Sequence, residues 1–219
     1  MTAEHLLRTL PAPADLRAQC RAMAAAEAVL NPDGYRYHAF DPAWAEGVEA
    51  YSLRNGAGDE CDAVFSPEGV LLRGFDHESP MSPYVEDRPW PGVLDSVPAP
   101  LARWTAEPAF TADGMPAFTF CLWREPGDDG WRTGEIDYPG GDPAEDGSGW
   151  LLHLLADGGP EAFRDWAQHY YDRPVDLAAV RALFGGSPLT PGIAAALHAG
   201  LAFDRAAAAV AAAGWPVGD

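Results

Sequence analysis

Apolar residues near the N-terminus recur at the spacing of an amphipathic helix. Residues 15–30 place one apolar stripe on a single helix face, made up of Leu16, Cys20, Met23 and Leu30. Asp15 stands where a helix cap is expected, and Glu27 is the one polar residue within the stripe. The turn-forming residues at positions 31–34, Asn-Pro-Asp-Gly, then end the predicted helix.

Alternation of apolar and polar residues replaces the helical spacing after residue 34 and predicts a series of strands. The first strand is predicted over residues 35–40, and Asp41 followed by Pro42 predicts a single helical turn around Trp44. A meander follows, because turn-forming residues separate the next apolar segments. Its predicted strands are residues 48–53, 62–65 and 70–75.

A second hairpin is predicted beyond a proline-rich stretch at residues 80–108. Its strands are residues 116–124 and 131–138, joined by a Gly-Asp-Asp-Gly turn. Apolar side chains occupy almost every position of the first of these strands. We therefore expect both faces of that strand to be buried and the strand to lie in the interior of its sheet.

The pattern is helical again from residue 147 to the C-terminus. The helix predicted over residues 161–172 has an inward stripe formed by Phe163, Trp166, Ala167 and Tyr170. A helix, then strands, then helices predict an α+β fold, in which an antiparallel sheet (a meander plus a second hairpin) joins an N-terminal helix and a C-terminal group of helices. We expect residues 1–219 to form a single domain, with residues 173–219 as a helical C-terminal extension.

The chain is strongly acidic, and this limits its partners. It has 33 acidic residues against 14 basic ones, which gives a formal charge of −19 at pH 7. A surface with this charge repels phosphate backbones, so nucleic acid is not expected as a partner. A basic protein is the expected partner, because complementary charge speeds association.

All 14 basic side chains are arginine, and the absence of lysine excludes several classes of enzyme. P-loop ATPases, protein kinases and enzymes that form Schiff bases each need a lysine at the reacting centre. The sequence also contains neither a His-Glu-x-x-His segment nor a Gly-x-Ser-x-Gly segment. The sequence therefore favours a protein that is not an enzyme and that needs no cofactor.

The three cysteines, Cys20, Cys61 and Cys121, are widely spaced and odd in number. This pattern indicates neither a disulfide framework nor a thiolate zinc site, and it is typical of a reducing compartment. The alanine-rich residues 206–213 are too few to cross a bilayer. We expect a soluble, cytoplasmic protein that does not bind a membrane.

A candidate functional loop follows the fourth predicted strand, in the segment Gly-Phe-Asp-His-Glu-Ser-Pro-Met-Ser-Pro-Tyr at residues 74–84. Its candidate residues are Asp76, His77, Glu78, Ser79, Ser82 and Tyr84. Pro80 and Pro83 restrict the backbone, so acid, imidazole and hydroxyl groups stand in a stiff segment. The same residues are typical of a structural turn, because Asp and Ser side chains hydrogen-bond nearby backbone groups. Both interpretations stay open.

Two further sets of residues offer alternative chemistry. Asp76, His77 and Glu78 include the ligand types of a divalent metal, but adjacent residues seldom all reach one ion. We predict no bound metal, and a metal-dependent hydrolase centred on this loop is the alternative function.

A candidate acidic patch that would face a partner lies in loops around the second hairpin and comprises Asp128, Asp129, Asp142, Glu145 and Asp146.

Three segments resemble stretches of an uncharacterised group of bacterial proteins. They are residues 74–84, Phe-Thr-Phe-Cys-Leu-Trp-Arg at 118–124 and Asp-Gly-Ser-Gly-Trp-Leu-Leu-His-Leu-Leu at 146–155. The order of elements, with Gly-Trp at 149–150 followed by the predicted helix Glu-Ala-Phe-Arg-Asp-Trp-Ala-Gln-His-Tyr-Tyr, is similar to SUKH-type immunity proteins. These are small acidic α+β proteins that neutralise bacterial toxins. The resemblance implies a non-catalytic protein-binding module that gives immunity to a basic toxin.

Overall fold

Six antiparallel strands form the central sheet of the protein, whose structure is a computed structural model that describes residues 3–219. The strands are β1 (His38–Ala45), β2 (Val48–Arg54), β3 (Glu60–Ser66), β4 (Gly69–Phe75), β5 (Thr111–Ala112), β6 (Met115–Pro116), β7 (Phe120–Arg124) and β8 (Arg132–Thr133). The strand order in the sheet is β1-β2-β3-β4-β7-β8, so a four-stranded meander is extended by a hairpin. Strands β5 and β6 form a separate small hairpin.

Helices precede and follow the sheet, which confirms the predicted α+β class. The α-helices are α1 (Ala3–Thr9), α2 (Pro13–Leu30), α3 (Pro83–Glu86), α4 (Ser148–Leu151), α5 (His153–Ala156), α6 (Pro160–Tyr170), α7 (Leu177–Phe184), α8 (Pro191–Leu197) and α9 (Phe203–Ala212). Short 3₁₀ helices span Ala102–Ala106, Pro108–Phe110, Pro139–Gly141 and Pro143–Asp146. None of the helices between residues 3 and 219 combines the length and the hydropathy that a membrane span requires.

Alternation along the strands gives the sheet two faces with different cover. On one side, which we call the helical face, Phe40, Tyr51, Leu72 and Leu122 join the main hydrophobic core. Helix α2 packs against β1 and also contacts α7, α8 and α9, so the C-terminal helices share this core. Its predicted apolar stripe is buried, and Glu27 is buried with it.

The opposite side of the sheet, which we call the loop face, is covered by the long segment between β4 and β7 and by residues after β8. Side chains from the strands meet aromatic residues of this segment in a second, smaller core. Its strand members include Val64, Leu71, Cys121 and Trp123, and its loop members include Trp104, Phe110 and Phe118. Strand β7 lies between β4 and β8 with both faces buried, as the sequence predicts.

The helical turn predicted at Asp41 and Pro42 is wrong, because these residues belong to β1. The Asp41 carboxylate accepts a hydrogen bond from the Ala43 N–H at 2.9 Å, as it would at a helix start. The pairing of β1 with β2 is irregular between Asp41 and Ala45. A bulge on an edge strand accommodates a proline, so the same residues that begin a helix also fit an interrupted strand.

The second hairpin is shorter than predicted. Residues 115–116 pair with β5, and β8 retains only two residues. The chain after β8 instead runs beside residues 90–92: the Trp90 indole N–H donates to Asp137 O at 3.0 Å, and a Cβ on Gly134 would lie 1.8 Å from Gly92 O. Contacts with this loop therefore replace the predicted strand pairing.

Candidate functional site

The loop that follows β4 is fixed by hydrogen bonds of its own serines. The Ser79 hydroxyl donates to the Glu145 carbonyl and accepts from the Met81 N–H at 3.0 Å. The Ser82 N–H donates to Ser79 O at 2.9 Å. Both serines are buried, and the Ser79 hydroxyl and the Ser82 backbone N–H take part in the hydrogen bonds of the turn.

His77 is oriented by Asp59, a residue that the sequence analysis does not single out. The Nδ1 atom of His77 lies 2.7 Å from Asp59 Oδ1, and the His77 backbone N–H donates to the same oxygen at 3.0 Å. Asn55 Nδ2 donates to the other carboxylate oxygen. The hydrogen bond to Asp59 raises the pKa of His77, while the imidazole stays exposed to solvent.

Strand pairing explains why Asp59 and His77 meet. Glu60 and Phe75 are paired between β3 and β4, so the residue before β3 lies beside the residues after β4. The sequence predicts this hairpin. A search for polar residues at its open end would therefore have found Asp59.

Asp76 links the loop to the segment after β8. Its Oδ2 accepts from the Trp150 indole N–H at 3.0 Å, and its Oδ1 accepts from the Glu78 N–H at 3.0 Å. The Asp76 N–H donates to Thr119 Oγ1 at 3.2 Å. A Cβ on Gly147 would lie 2.5 Å from the Asp76 Cβ, and Gly147 has a φ of +76°, so glycine is needed at this close approach.

One group of potential metal ligands lies in the described part of the chain. Asp59, Asp76 and His77 each offer a donor atom, and these three atoms lie within 4.8 Å of one another. Glu78, the third acidic or imidazole residue of the loop, is exposed and does not belong to this group. The structure thus brings Asp76 and His77 together with Asp59 rather than with Glu78.

Exposed aromatic residues surround the loop. Six large apolar side chains of the described residues are exposed, and five of them, with exposures between 41% and 62%, lie at this end of the sheet: Tyr35, Tyr84, Val85, Trp150 and Tyr170. Val217, near the C-terminus, is the sixth. We call the surface formed by these five residues with Asp76, His77 and Glu78 the aromatic–acidic face.

The turn between β2 and β3 connects the two sides of the aromatic–acidic face. A Cβ on Gly58 would lie 3.3 Å from the His77 ring, and one on Gly56 would lie 3.9 Å from the Tyr35 ring. The Tyr170 ring lies 5.4 Å from the Tyr37 ring, at the start of β1. The Trp150 indole N–H donates a hydrogen bond to Asp76, the residue before His77. These distances place Tyr35, Trp150 and Tyr170 at the same end of the sheet as His77.

The structure does not bring the five residues of the candidate acidic patch together. Asp128 and Asp129 lie in the turn after β7, beside Arg124 at the end of the sheet opposite the loop. Glu145 is exposed, and its backbone carbonyl bonds to the loop. Asp142 is exposed and Asp146 is fully buried. Burial raises the pKa of Asp146 to about 6.

A buried ionic network crosses the loop face beneath the candidate site. The Arg73 side chain is fully buried, and its guanidinium bonds to Asp62 Oδ2 at 2.7 Å, to Ala117 O at 2.8 Å and to Glu60. Arg54 also contacts both carboxylates, at 2.9 Å to Asp62 and 3.3 Å to Glu60. Two arginines therefore neutralise two acids.

A second buried polar group lies on the helical face. Glu27 accepts hydrogen bonds from the backbone N–H groups of Tyr37 and His38 and from the Tyr171 hydroxyl. Burial raises the pKa of Glu27 to about 7 and lowers that of His38 to about 3. His38 Nδ1 lies 2.6 Å from the Tyr51 hydroxyl. Glu27, the Tyr37–His38 pair, Tyr51 and Tyr171 belong to four different elements or segments, so no local motif marks the network.

Comparison with known proteins adds no family to this description. No family model matches the chain, and neither a curated protein nor a solved structure is similar to it. The fold itself defines the class of protein, which is α+β with an antiparallel sheet between helices.

Proposed function

We propose that the protein is a non-catalytic binding module whose aromatic–acidic face binds a basic protein, with immunity to a basic toxin as its role. The observation that carries this proposal is the location of the exposed aromatic residues. Tyr35, Tyr84, Trp150 and Tyr170 lie at one end of the sheet. Tyrosine and tryptophan are enriched among the residues that dominate binding energy in protein interfaces.

The charge of this face supports a basic partner. Glu78, Glu86 and Asp87 are exposed beside the aromatic residues, and Arg88, the neighbouring cation, is paired with Glu86 at 2.9 Å. A negative surface of this kind attracts a positive partner over distances of about 10 Å at 0.1 M salt. Charge would raise the association rate, and the aromatic residues would provide the contact area.

The rigidity of the loop also favours binding. The serine hydrogen bonds, the bond between His77 and Asp59, and the bond between Asp76 and Trp150 fix the backbone that presents Tyr84. A surface held in one conformation loses less entropy when a partner binds. The buried serines are thus consistent with a recognition surface.

The dependence of partner capture on salt tests this function. We expect the immobilised protein to capture a basic protein from its host at about 0.05 M salt and to retain much less of it at about 0.5 M, because salt screens the attraction between charges. The captured proteins are identified by mass spectrometry and ranked by net charge. Failure to recover a basic protein at either salt concentration would contradict the proposal.

One observation favours the alternative function, a metal-dependent hydrolase. Asp59, Asp76 and His77 offer three donor atoms within 4.8 Å of one another, and carboxylate and imidazole groups are both ligands of divalent metals. Such a centre would activate a water molecule for hydrolysis. The exposed aromatic residues have no role in that chemistry, so the binding module explains more of the surface.

Elemental analysis separates the two functions. The binding module predicts less than stoichiometric transition metal in protein purified without added ions. One equivalent of metal that is lost in His77→Ala, and kept in the control His169→Ala, would favour the hydrolase. His169 is exposed on α6 and is not part of the three-residue group.

A further inference from the structure

A cavity of about 280 Å³ opens on the loop face of the sheet, beside the edge strand β1. Its floor consists of short side chains from β1 and β2, namely Ala39, Ala50 and Ser52. Trp44 and Phe110 line it as well. The cavity exists because residues with little bulk face a region that the covering loops leave open. Its volume is close to the lower end of the range for ligand sites.

Aromatic rings in this region already hold two guanidinium groups. The Trp44 ring stacks on Phe110 with a centroid distance of 5.5 Å and also lies 5.3 Å from Trp104. The Arg73 guanidinium lies 4.7 Å from the Phe110 ring, and that of Arg103 lies 4.3 Å from Trp104. Trp44 is the partly exposed member that lines the cavity. Indole is the best aromatic partner for a cation.

The charges around the cavity leave a carboxylate uncompensated. Asp62 and Arg54 both line it, but Arg54 and Arg73 are opposed by Asp62 and Glu60 in the buried network. Asp41 also lines the cavity, and its carboxylate accepts the backbone N–H of Ala43. The lining therefore combines a negative charge with a partly exposed indole.

The cavity is joined to the aromatic–acidic face through Glu60. This carboxylate bonds to Arg54 at one end of the cavity. Glu60 is also paired with Phe75 between β3 and β4, and the Phe75 ring lies 6.0 Å from the Tyr84 ring. Glu60 thus lies near the aromatic–acidic face and near the cavity. A single partner can therefore contact the face and the cavity together.

We propose that this cavity binds the side chain of an arginine from the basic partner, with the guanidinium on Trp44 and beside Asp41. The proposal rests on the proposed function, and it adds the chemistry by which the partner is recognised. Arginine is preferred to lysine because its planar group stacks on aromatic rings and donates two parallel hydrogen bonds to a carboxylate.

A peptide titration tests the cavity without the partner. The probe is acetyl-Gly-Arg-Gly-amide, and its control carries citrulline, which has nearly the same shape and no charge. We expect the arginine peptide to shift the backbone NMR signals of Ala39, Ala50 and Ser52 saturably, and the citrulline peptide to bind about tenfold more weakly. Equal responses to the two peptides, or shifts confined to other residues, would overturn the proposal.

Variants of the cavity make the test specific. Ala50→Leu fills the cavity and should abolish the saturable shifts, whereas Ala45→Leu adds the same bulk at an exposed position of β1 outside the cavity and should preserve them. Asp41→Asn keeps an oxygen for the Ala43 N–H and should weaken binding severalfold by removing the charge. Full binding of the arginine peptide by folded Ala50→Leu would contradict the proposal.

The same variants separate this inference from the proposed function. Peptide binding by a protein that captures no basic partner would contradict the proposed function and leave the cavity as an arginine site. Capture that is equally strong for wild type and Ala50→Leu would contradict the role of the cavity in recognition and leave the proposed function standing.

Discussion

Replacing Arg73 with alanine is expected to lower the free energy of unfolding by about 3 to 5 kcal/mol, because it removes one of the two arginines that neutralise the buried Asp62 and the partly buried Glu60. Arg73 is fully buried and contacts both Asp62 and Glu60. Its removal also deletes the hydrogen bond to Ala117 O and the cation–π contact with Phe110. A loss of this size is a large share of the stability of an ordinary domain.

Urea denaturation measures this effect, and Arg132→Ala is the matched control. Arg132 forms an ion pair with Asp128 on the surface, where its side chain is exposed, so its loss should cost about 1 kcal/mol or less. Arg73→Met keeps most of the apolar stem and should still be strongly destabilised, because it lacks the charge. Equal stability of Arg73→Met and Arg132→Ala would contradict a stabilising role for the network.

The Glu27→Gln variant is expected to reveal the titration of a buried acid. Burial raises the pKa of Glu27 from 4.5 to about 7, so the folded protein holds a proton that the unfolded chain has already released. The stabilisation from this proton is complete below pH 4.5 and is lost as the pH rises through 7. Glutamine does not titrate. The stability of wild type relative to Glu27→Gln should therefore fall by about 2 to 3 kcal/mol between pH 5 and pH 8.

Urea denaturation at several pH values checks this result. His38, whose pKa is lowered to about 3 by burial, is present in both proteins, so its own titration cancels in the difference. Asp165→Asn, a change at an exposed acid of α6, is the control. The stability of wild type relative to Asp165→Asn should stay constant between pH 5 and pH 8. A stability difference that stays constant or grows with pH for Glu27→Gln would show that Glu27 is ionised in the folded protein.

Much of the fold is predictable because it depends on local periodicity. Short segments of sequence are enough to predict the apolar stripe of α2 and the turns between β2, β3 and β4, and the structure confirms them. Asp41 and Pro42 mislead because an Asp side chain bonds to the backbone in the same way at a helix start and at a bulge. Local sequence does not distinguish the two; pairing with β2 does.

The candidate site is predictable only in part, because its partners come from distant segments. The loop residues Asp76 and His77 stand out in the sequence, and Asp59 follows from the predicted hairpin. Trp150 reaches Asp76 from 74 residues away, and no pattern indicates that contact. Arg73 looks like any polar residue in a strand, yet burial among acids makes it central to the loop face.

The most direct test of the aromatic–acidic face compares partner capture by wild type and two variants. Tyr84→Ala combined with Trp150→Ala removes two exposed rings of the face, whereas Val217→Ala removes an exposed apolar side chain elsewhere. The double variant should lose at least about tenfold in affinity for the captured basic protein, since aromatic residues at interface centres contribute most of the binding energy. Val217→Ala should bind as wild type does. Equal affinity of wild type and the folded double variant would contradict the account.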